Sequence, residues 1–182
     1  VAALSADGGL LARRLSGGGA VYHDLGNLNF TFILCHVDYD VARQCGVLLA
    51  AARALGIDAE LSGRNDLIVD GRKFSGNAYY RRGDRQYHHG TLMIDVEMTP
   101  LVKYLLVSDD KLRSKGVSSV RSRVVNLREI RGDITVARVK EALKAAFLAE
   151  YGAPLKALAP LDEAKIAALY ARYASDDWLY GN

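Results

Sequence analysis

A glycine-rich segment near the start of the chain constrains its structure more than any other stretch. Residues 13–27 read Arg-Arg-Leu-Ser-Gly-Gly-Gly-Ala-Val-Tyr-His-Asp-Leu-Gly-Asn. Consecutive glycines cost backbone entropy, so they are favoured where φ is positive or where a ligand approaches the backbone. Successive N–H groups in such a turn form a concave anion-binding surface, and Arg13 and Arg14 add bidentate donors. The segment therefore predicts a site for phosphate or carboxylate oxygens.

Two common phosphate-binding loops do not fit this segment. A P-loop closes with Gly-Lys-Ser/Thr and leads into a helix, whereas Gly19 is followed by Ala20-Val21-Tyr22, which is typical of a strand. The dinucleotide-binding fingerprint also requires a following helix and wider glycine spacing. A flexible hairpin that binds no ligand remains the alternative interpretation of the three glycines.

The overall charge argues against a nucleic-acid partner. The 182 residues fit one domain with a full hydrophobic core, and the formal net charge is +3. Proteins that bind duplexes usually present a dense face of Lys and Arg. Here the basic residues form short local groups, which suits a small polyanionic ligand: Arg13-Arg14, Arg72-Lys73, Arg81 to Arg85 and 111–123.

Cysteine usage and hydropathy predict a cytoplasmic protein that does not enter a membrane. The two cysteines, Cys35 and Cys45, lack CxxC spacing, and no secretory signal is present. Cys45 is expected to be buried in a helix. No apolar run reaches the length of a membrane span.

Hydrophobic periodicity predicts a mixed α and β structure. Asp38 and Thr135 are predicted helix N-caps, and Asp70-Gly71 is predicted to be a tight hairpin turn. The basic segment 111–123 is interpreted either as a ligand lid or as a solvated connector. The predicted strands are 10–15, 20–23, 28–34, 58–61, 67–70, 73–82 and 87–97, with 20–23 and 28–34 forming a hairpin. The predicted helices are 39–55, 99–107, 136–151 and 162–173.

A second polar cluster flanks the predicted Asp70-Gly71 turn. Asp66 precedes the turn and Lys73 follows it on the returning strand, so both side chains can face one cavity. Ser75 and Gly76 keep the surface beyond Lys73 small. A fixed ammonium beside an anion-binding turn suits a reaction in which negative charge builds on a phosphate and a carboxylate together. Such a preorganised donor is worth about 10² to 10³ in rate.

Five motifs, in this order along the chain, resemble the lipoate-protein ligase A family. The first is the 13–27 segment, and the resemblance extends to Trp178-Leu179-Tyr180-Gly181, where the family's large catalytic domain ends. The other four are Gly-Arg-Asn-Asp-Leu at 63–67, Arg-Lys-Phe-Ser-Gly-Asn-Ala at 72–78, His-His-Gly-Thr-Leu at 88–92 and Lys-Gly-Val-Ser-Ser-Val-Arg-Ser-Arg-Val at 115–124.

The resemblance implies an α+β fold, a mixed or antiparallel β-sheet flanked by helices as in class II aminoacyl-tRNA synthetases and biotin/lipoate ligases. It implies one catalytic domain over residues 1–182, without the family's N-terminal segment and small C-terminal domain. Lipoate and ATP would give lipoyl-adenylate and pyrophosphate, with Mg²⁺ as metal cofactor. A lysine of an apo lipoyl-carrier domain, on a 2-oxoacid dehydrogenase E2 or the glycine cleavage H protein, would then take the lipoyl group. A separate accessory domain is a further expected partner.

Site residues follow from the same resemblance. Lys73 would bridge the lipoate carboxylate and the α-phosphate, with Arg14 as a second lipoate-binding residue. Asp66 would be the second catalytic residue and orient either Mg²⁺ or the incoming amine. The 115–124 loop would fold over the adenylate. The residues implied for ATP and lipoyl-adenylate binding are Arg14, Ser16, Gly18, Gly19, Ala20, Val21, Tyr22 and Lys73.

Two alternatives stay open from the sequence. An octanoyl or lipoyl transferase of the same fold would work without ATP, through a cysteine thioester opposite the lysine, but neither Cys35 nor Cys45 lies in a recognisable transferase motif. A binding-only fragment would hold lipoyl-adenylate or a carrier domain without turnover and would need a partner domain.

Overall fold

The computed structural model describes residues 1–63, 65–105, 123–152, 156 and 159–181. These residues form two compact units. The larger unit comprises the described residues from 16 to 152, and the smaller one comprises 1–15 together with those from 156 onward. The α-helices, in chain order, are α1 (Ala2–Ala6), α2 (Val41–Ala54), α3 (Met98–Tyr104), α4 (Leu127–Ile130), α5 (Val136–Tyr151), α6 (Glu163–Tyr173) and α7 (Asp176–Tyr180).

The larger unit is built on a five-stranded antiparallel sheet. Its strand order is β1-β5-β4-β3-β2. The chain therefore runs as a meander from β2 to β5, and β1 joins the outer side of β5. The strands are β1 (Asn27–Cys35), β2 (Glu60–Ser62), β3 (Asp66–Val69), β4 (Arg72–Arg82) and β5 (Arg85–Met93).

One face of this sheet forms the hydrophobic core with α2. Leu48 and Ala52 of α2 pack there, as do the segments that follow β5 and precede α5. Each fully buried apolar side chain contributes about 1.5–3 kcal/mol. The buried apolar residues include Leu28, Leu48, Ala52, Ile57, Leu67, Val69, Phe74, Leu92, Ile94, Val125, Leu127, Ile134 and Val139.

Helix α5 packs beside α2 through polar and aromatic contacts. Arg43 Nε donates to Glu150 Oε1 at 2.7 Å, and its guanidinium lies 4.2 Å from the ring centre of Tyr151. Phe147 stacks on Phe32 of β1, with ring centres 6.0 Å apart. Thr135 Oγ1 accepts from the N–H of Arg138 at 3.3 Å, so the predicted helix N-cap at Thr135 is confirmed.

In the smaller unit, hydrogen bonds join Arg13 to helix α7. The Arg13 guanidinium donates twice to the Leu179 carbonyl oxygen, at 3.0 and 2.7 Å, and Trp178 Nε1 donates to the Arg13 carbonyl oxygen at 2.9 Å. Asp162 caps α6 by accepting from the N–H groups of Ala164 and Lys165. The predicted helix at 162–173 is therefore confirmed.

The predicted fold class, β1, the Asp70-Gly71 turn and buried Cys45 are confirmed, but two of the predicted strands are wrong. Segments 10–15 and 20–23 have no strand structure, and β1 pairs with β5 over its full length. A nine-residue partner supplies more ladder bonds than a four-residue one, and the neighbouring glycines disfavour a strand.

Two other boundaries differ from prediction. Helix α2 is capped by Asp40, whose Oδ1 accepts from Arg43 N at 3.0 Å, because His36–Asp38 form a 3-10 turn. Strand β5 ends at Met93, since the next two N–H groups both donate to the Gly26 carbonyl oxygen. Part of the predicted 99–107 helix and the 111–122 portion of the predicted loop fall outside the described residues.

None of the described helices is long and apolar enough to cross a membrane.

Candidate active site

A β-bulge in the β3–β4 hairpin lets Lys73 and Ser75 face opposite sides of the sheet. Leu67 pairs with Ser75 but Ile68 pairs with Lys73, which leaves Phe74 as an extra residue on β4. Phe74 and Ser75 are consecutive yet each is only 1% exposed, on the core face. In an uninterrupted strand residues 73 and 75 would share a face, so Lys73 would be directed into the core. The bulge instead places Lys73 on the opposite face of the sheet.

We call this second surface the open face; it carries Asp66, Lys73, Gly76, His89 and Thr91. Lys73 Nζ lies 2.7 Å from Asp66 Oδ1, and about a third of each side chain is exposed. The predicted juxtaposition of these two residues is therefore present. Gly76 lies beneath the Lys73 side chain and pairs with Thr91 of β5. The surface next to the ion pair is thus low and accessible.

The backbone of Lys73 is held on both sides. Besides pairing with β3, Lys73 donates its N–H to the Arg123 carbonyl oxygen at 2.9 Å, and its own carbonyl oxygen accepts from Val125 N at 2.9 Å. This arrangement continues the sheet locally beyond the hairpin. The ammonium group therefore has a rigid support while its charge remains available to a ligand.

The glycine-rich segment begins on the same open face. Ser16 is buried, and its Oγ lies 2.5 Å from His89 Nε2 on β5. Gly18 has a φ of 103°, a value that favours glycine. A Cβ added at Gly17 or Gly19 would meet no atom within 4 Å in the described part of the chain. No described residue therefore fills the space beside these two α-carbons, as the predicted approach of an anion requires.

The residues after the glycines are anchored to the start of α3. Asp24 accepts from the N–H of Gly26 and from the N–H of Glu97, both at 2.8 Å. The Tyr22 ring lies 5.6 Å from that of Tyr104. Burial, followed by the charges of Asp24 and Glu97, raises the pKa of the Tyr22 phenol. Tyr22 therefore stays protonated at neutral pH and can act as a donor.

A buried polar network lies on the core face directly behind the ion pair. His88 is fully buried; its Nε2 lies 2.9 Å from Asn77 Oδ1 and its Nδ1 lies 2.9 Å from Gln44 Oε1. Asn77 in turn is bonded to Asn65, next to Asp66. Burial, and secondarily the neighbouring His89, lowers the pKa of His88 to about 4, so the ring is neutral at pH 7.

No role was predicted for His88, His89 or Asn77, although all three belong to the motifs at 72–78 and 88–92. Adjacent histidines in a strand must face opposite sides of a sheet, and this signal was available. What it could not provide was their partners, because Ser16, Gln44 and Asn77 lie far from them in sequence.

Most predicted site residues lie in the larger unit, and their roles stay predictions. Arg14 belongs to the smaller unit. The predicted covering loop is described only at Arg123 and Val124, which run beside Lys73. The predicted site residues of the larger unit are Ser16, Gly18, Gly19, Ala20, Val21, Tyr22, Asp66 and Lys73.

The chain is similar to known proteins in both sequence and fold. Residues 1–148 match the family model for the lipoyl protein ligase A/B catalytic domain. The chain is 29% identical to a bi-partite lipoate protein ligase of Thermoplasma acidophilum, solved in a study of that ligase and its E2 lipoyl domain. That match has a TM-score of 0.86 and covers 98% of this chain and 73% of the other.

Two further solved structures are similar. Lipoate-protein ligase A bound with ATP has 26% identity and a TM-score of 0.82, with coverage of 99% of this chain and 75% of the other. A Thermoplasma acidophilum protein with bound lipoic acid has 25% identity and a TM-score of 0.83, with coverage of 100% and 76%. Because the family model matches well over half of the residues, the chain belongs to the lipoyl protein ligase A/B catalytic domain family.

Proposed function

We propose that this chain activates lipoate with ATP to give lipoyl-adenylate and pyrophosphate, and then transfers the lipoyl group to a lysine of a lipoyl-carrier domain. The observation that carries the proposal is the Lys73–Asp66 pair, held at 2.7 Å on the open face that also receives the glycine-rich segment. A partly exposed cation, together with glycines whose α-carbons have no described residue beside them, suits two anionic reactants.

Similar proteins support the substrates. One was solved with ATP, another with lipoic acid, and a third was studied with its E2 lipoyl domain. Each ligand corresponds to one reactant in the proposed sequence. An E2 lipoyl domain is accordingly the first acceptor to test, and the glycine cleavage H protein is the second.

Lys73 has a direct part in the first step. A carboxylate and an α-phosphate repel each other as they approach, and an ammonium between them offsets that repulsion. An oxygen of the lipoate carboxylate attacks the α-phosphorus, and the bond from that phosphorus to the pyrophosphate oxygen breaks. The bulge and the ladder on both sides of Lys73 fix the charge before the substrates arrive.

Transfer is the second step. The neutral amine of the carrier lysine attacks the acyl carbon of lipoyl-adenylate, the bond from that carbon to the phosphate oxygen breaks, AMP leaves, and the proton that the nitrogen loses passes to water. Asp66 lies next to Lys73 and can accept a hydrogen bond from the incoming amine. Lys73 covers Gly76, and the small residue Ala78, next along this face of β4, would leave room for the apolar chain of the substrate.

Mg²⁺ fits this site as a metal bound mainly by substrate. The described residues contain no group of three or more His, Cys, Asp or Glu side chains that could hold a metal. Mg²⁺ usually takes one or two carboxylates together with phosphate oxygens and water. Asp66 is the candidate protein ligand, and the ion would neutralise phosphate charge.

The positions of both cysteines favour a ligase over a thioester transferase. Asn29 pairs with Thr91, which pairs with Gly76 beside Lys73. Cys35 is at the far end of β1, about 20 Å from Asn29 at the usual rise per strand residue. Cys45 is 4% exposed in α2, on the core face, where burial raises the pKa of its thiol.

The proposal is tested by incubating the chain with lipoate, ATP, Mg²⁺ and an apo E2 lipoyl domain, and measuring the intact mass of that domain. A parallel reaction replaces lipoate and ATP with preformed lipoyl-adenylate, and a third omits ATP. Lipoylation that requires ATP supports the proposal. Transfer only from preformed adenylate shows that activation needs an accessory domain. If the lipoyl domain stays unmodified in all three reactions, the proposed function is contradicted.

A further inference from the structure

A buried chain of hydrogen bonds connects α2 to the backbone that carries the ion pair. Asn77 Nδ2 and the Asn77 N–H both donate to the Asn65 carbonyl oxygen at 2.9 Å. Asn65 Nδ2 donates back to the Asn77 carbonyl oxygen at 2.9 Å. These bonds extend the β3–β4 ladder by one residue, immediately before Asp66 and immediately after Gly76.

The orientation of Asn77 fixes the proton on His88. Since Asn77 Nδ2 donates to Asn65, Asn77 Oδ1 faces His88 and can only accept, so His88 Nε2 must carry the proton. His88 Nδ1 is then an acceptor. Gln44 Nε2 has no partner among the described residues, and a half-turn of that amide places its NH₂ on Nδ1.

The surroundings leave His88 no freedom to rotate. Its ring packs against Phe30, Phe32 and Tyr79, with centre distances of 5.4, 5.6 and 4.8 Å. Gly90 makes room for the contact, because a Cβ there would lie 2.7 Å from Asn77 Oδ1. The motifs at 63–67, 72–78 and 88–92 therefore meet in one network.

We propose that His88 is a positioning residue: it holds Asn77, and through the Asn77–Asn65 clamp it fixes Asp66 opposite Gly76 and thereby the Lys73–Asp66 pair. The clamp lies on one side of Asp66 and the bulge on the other. The clamp and the bulge therefore both fix the backbone position of Asp66 in β3. The structural claim is independent of the reaction, and the kinetic readout below rests on the proposed function.

Two substitutions at one position separate positioning from simple stabilisation. In His88→Gln the amide reaches the place of Nε2 and keeps the bond to Asn77. In His88→Asn the shorter amide takes the place of Nδ1, keeps the contact with Gln44 and loses Asn77. Both remove the ring and both retain one buried hydrogen bond, and they differ by one methylene group and in whether the bond to Asn77 is kept.

The first readout is amide hydrogen exchange at Asn77, whose N–H donates to Asn65. We expect protection of this amide to fall on the order of tenfold in His88→Asn and to stay near wild type in His88→Gln. Amides of Val47 and Leu48 in α2 report global opening and should stay protected in both. Equal exchange at Asn77 in the two variants would overturn the proposal.

The second readout is lipoyl-adenylate formation. We expect kcat to fall about tenfold in His88→Asn with a nearly unchanged KM for ATP, and to recover in His88→Gln. Asn65→Ala, at an exposed position, removes the Asn65 Nδ2 bond to the Asn77 carbonyl oxygen and keeps the two bonds to the Asn65 carbonyl oxygen, so it should lower kcat by a smaller factor even if His88→Asn does not fold. Full activity of Asn65→Ala would refute the positioning role. A wild-type chain that makes no adenylate would refute only the proposed function, since the exchange readout still tests the clamp.

Discussion

The ammonium group of Lys73 lies directly over Gly76: a Cβ atom at position 76 would be 3.0 Å from Lys73 Nζ and 3.1 Å from its Cε. Such distances are shorter than ordinary van der Waals contact. Any side chain at position 76 must therefore displace the end of Lys73. The ammonium group of Lys73 can therefore occupy this position because residue 76 has no side chain.

Gly76→Ala is expected to lower the rate of lipoyl-adenylate formation on the order of tenfold, since the end of Lys73 must shift by a few tenths of an ångström and a full 1 Å can cost about 100-fold. The free energy of unfolding should change little, because Lys73 can swing outward. Gly132→Ala is the control, as a Cβ there meets nothing within 4 Å in the described chain. Steady-state assays and thermal melts measure both effects. Wild-type activity in Gly76→Ala would contradict this account of Lys73.

Gly17→Ala and Gly19→Ala should separate ligand binding from folding. A Cβ at either position has space in the described protein, so the melting temperature should hold or rise slightly. A nucleotide that lies against these backbones would meet the new methyl group, and we expect its affinity to fall by at least about tenfold, or about 1.4 kcal/mol. Calorimetric titration with ATP measures the change. Unchanged affinity in both variants would show that nucleotide does not contact the glycines.

Acid should destabilise the fold through His88. Its pKa is about 4 in the folded chain, against 6.5 for the ordinary side chain. Below pH 6.5 the unfolded chain takes up a proton that the folded chain refuses, so stability falls as the pH drops from about 6.5 to 4. The loss at this residue approaches about 3 kcal/mol. Urea titrations across this range should show a shallower dependence in His88→Gln, whereas parallel curves would mean that His88 titrates normally.

Cys35→Ser is expected to leave ATP-dependent lipoylation at the wild-type rate, because β1 carries this thiol well away from Lys73. The assay is intact-mass analysis of the apo lipoyl domain over time. Cys45→Ser is the companion variant and should lower stability, since a hydroxyl replaces a buried thiol. Loss of transfer in Cys35→Ser, with a folded protein, would favour the thioester mechanism instead.

The sequence predicted the Asp66–Lys73 contact because a two-residue Asp-Gly turn fixes which residues of a hairpin share a face. It could not predict the bulge at Phe74, which lies where β4 changes its pairing from β5 to residues 123–125, far along the chain. The strand predicted at 20–23 failed for a similar reason, since β1 found its partner in β5, far along the chain. Contacts between residues close in sequence could be predicted from residue types, whereas the pairing of strands far apart in sequence could not.

The most direct test of the account is the yield of lipoyl-AMP from lipoate, ATP and Mg²⁺ in the wild-type chain, Lys73→Ala and the exposed control Lys140→Ala, with circular dichroism of each. We predict product in the wild type and in Lys140→Ala, and a loss of at least about 100-fold in Lys73→Ala with an unchanged spectrum. Lipoyl-AMP formation by folded Lys73→Ala at the wild-type rate would contradict the central claim that Lys73 stabilises the charge of the activation step.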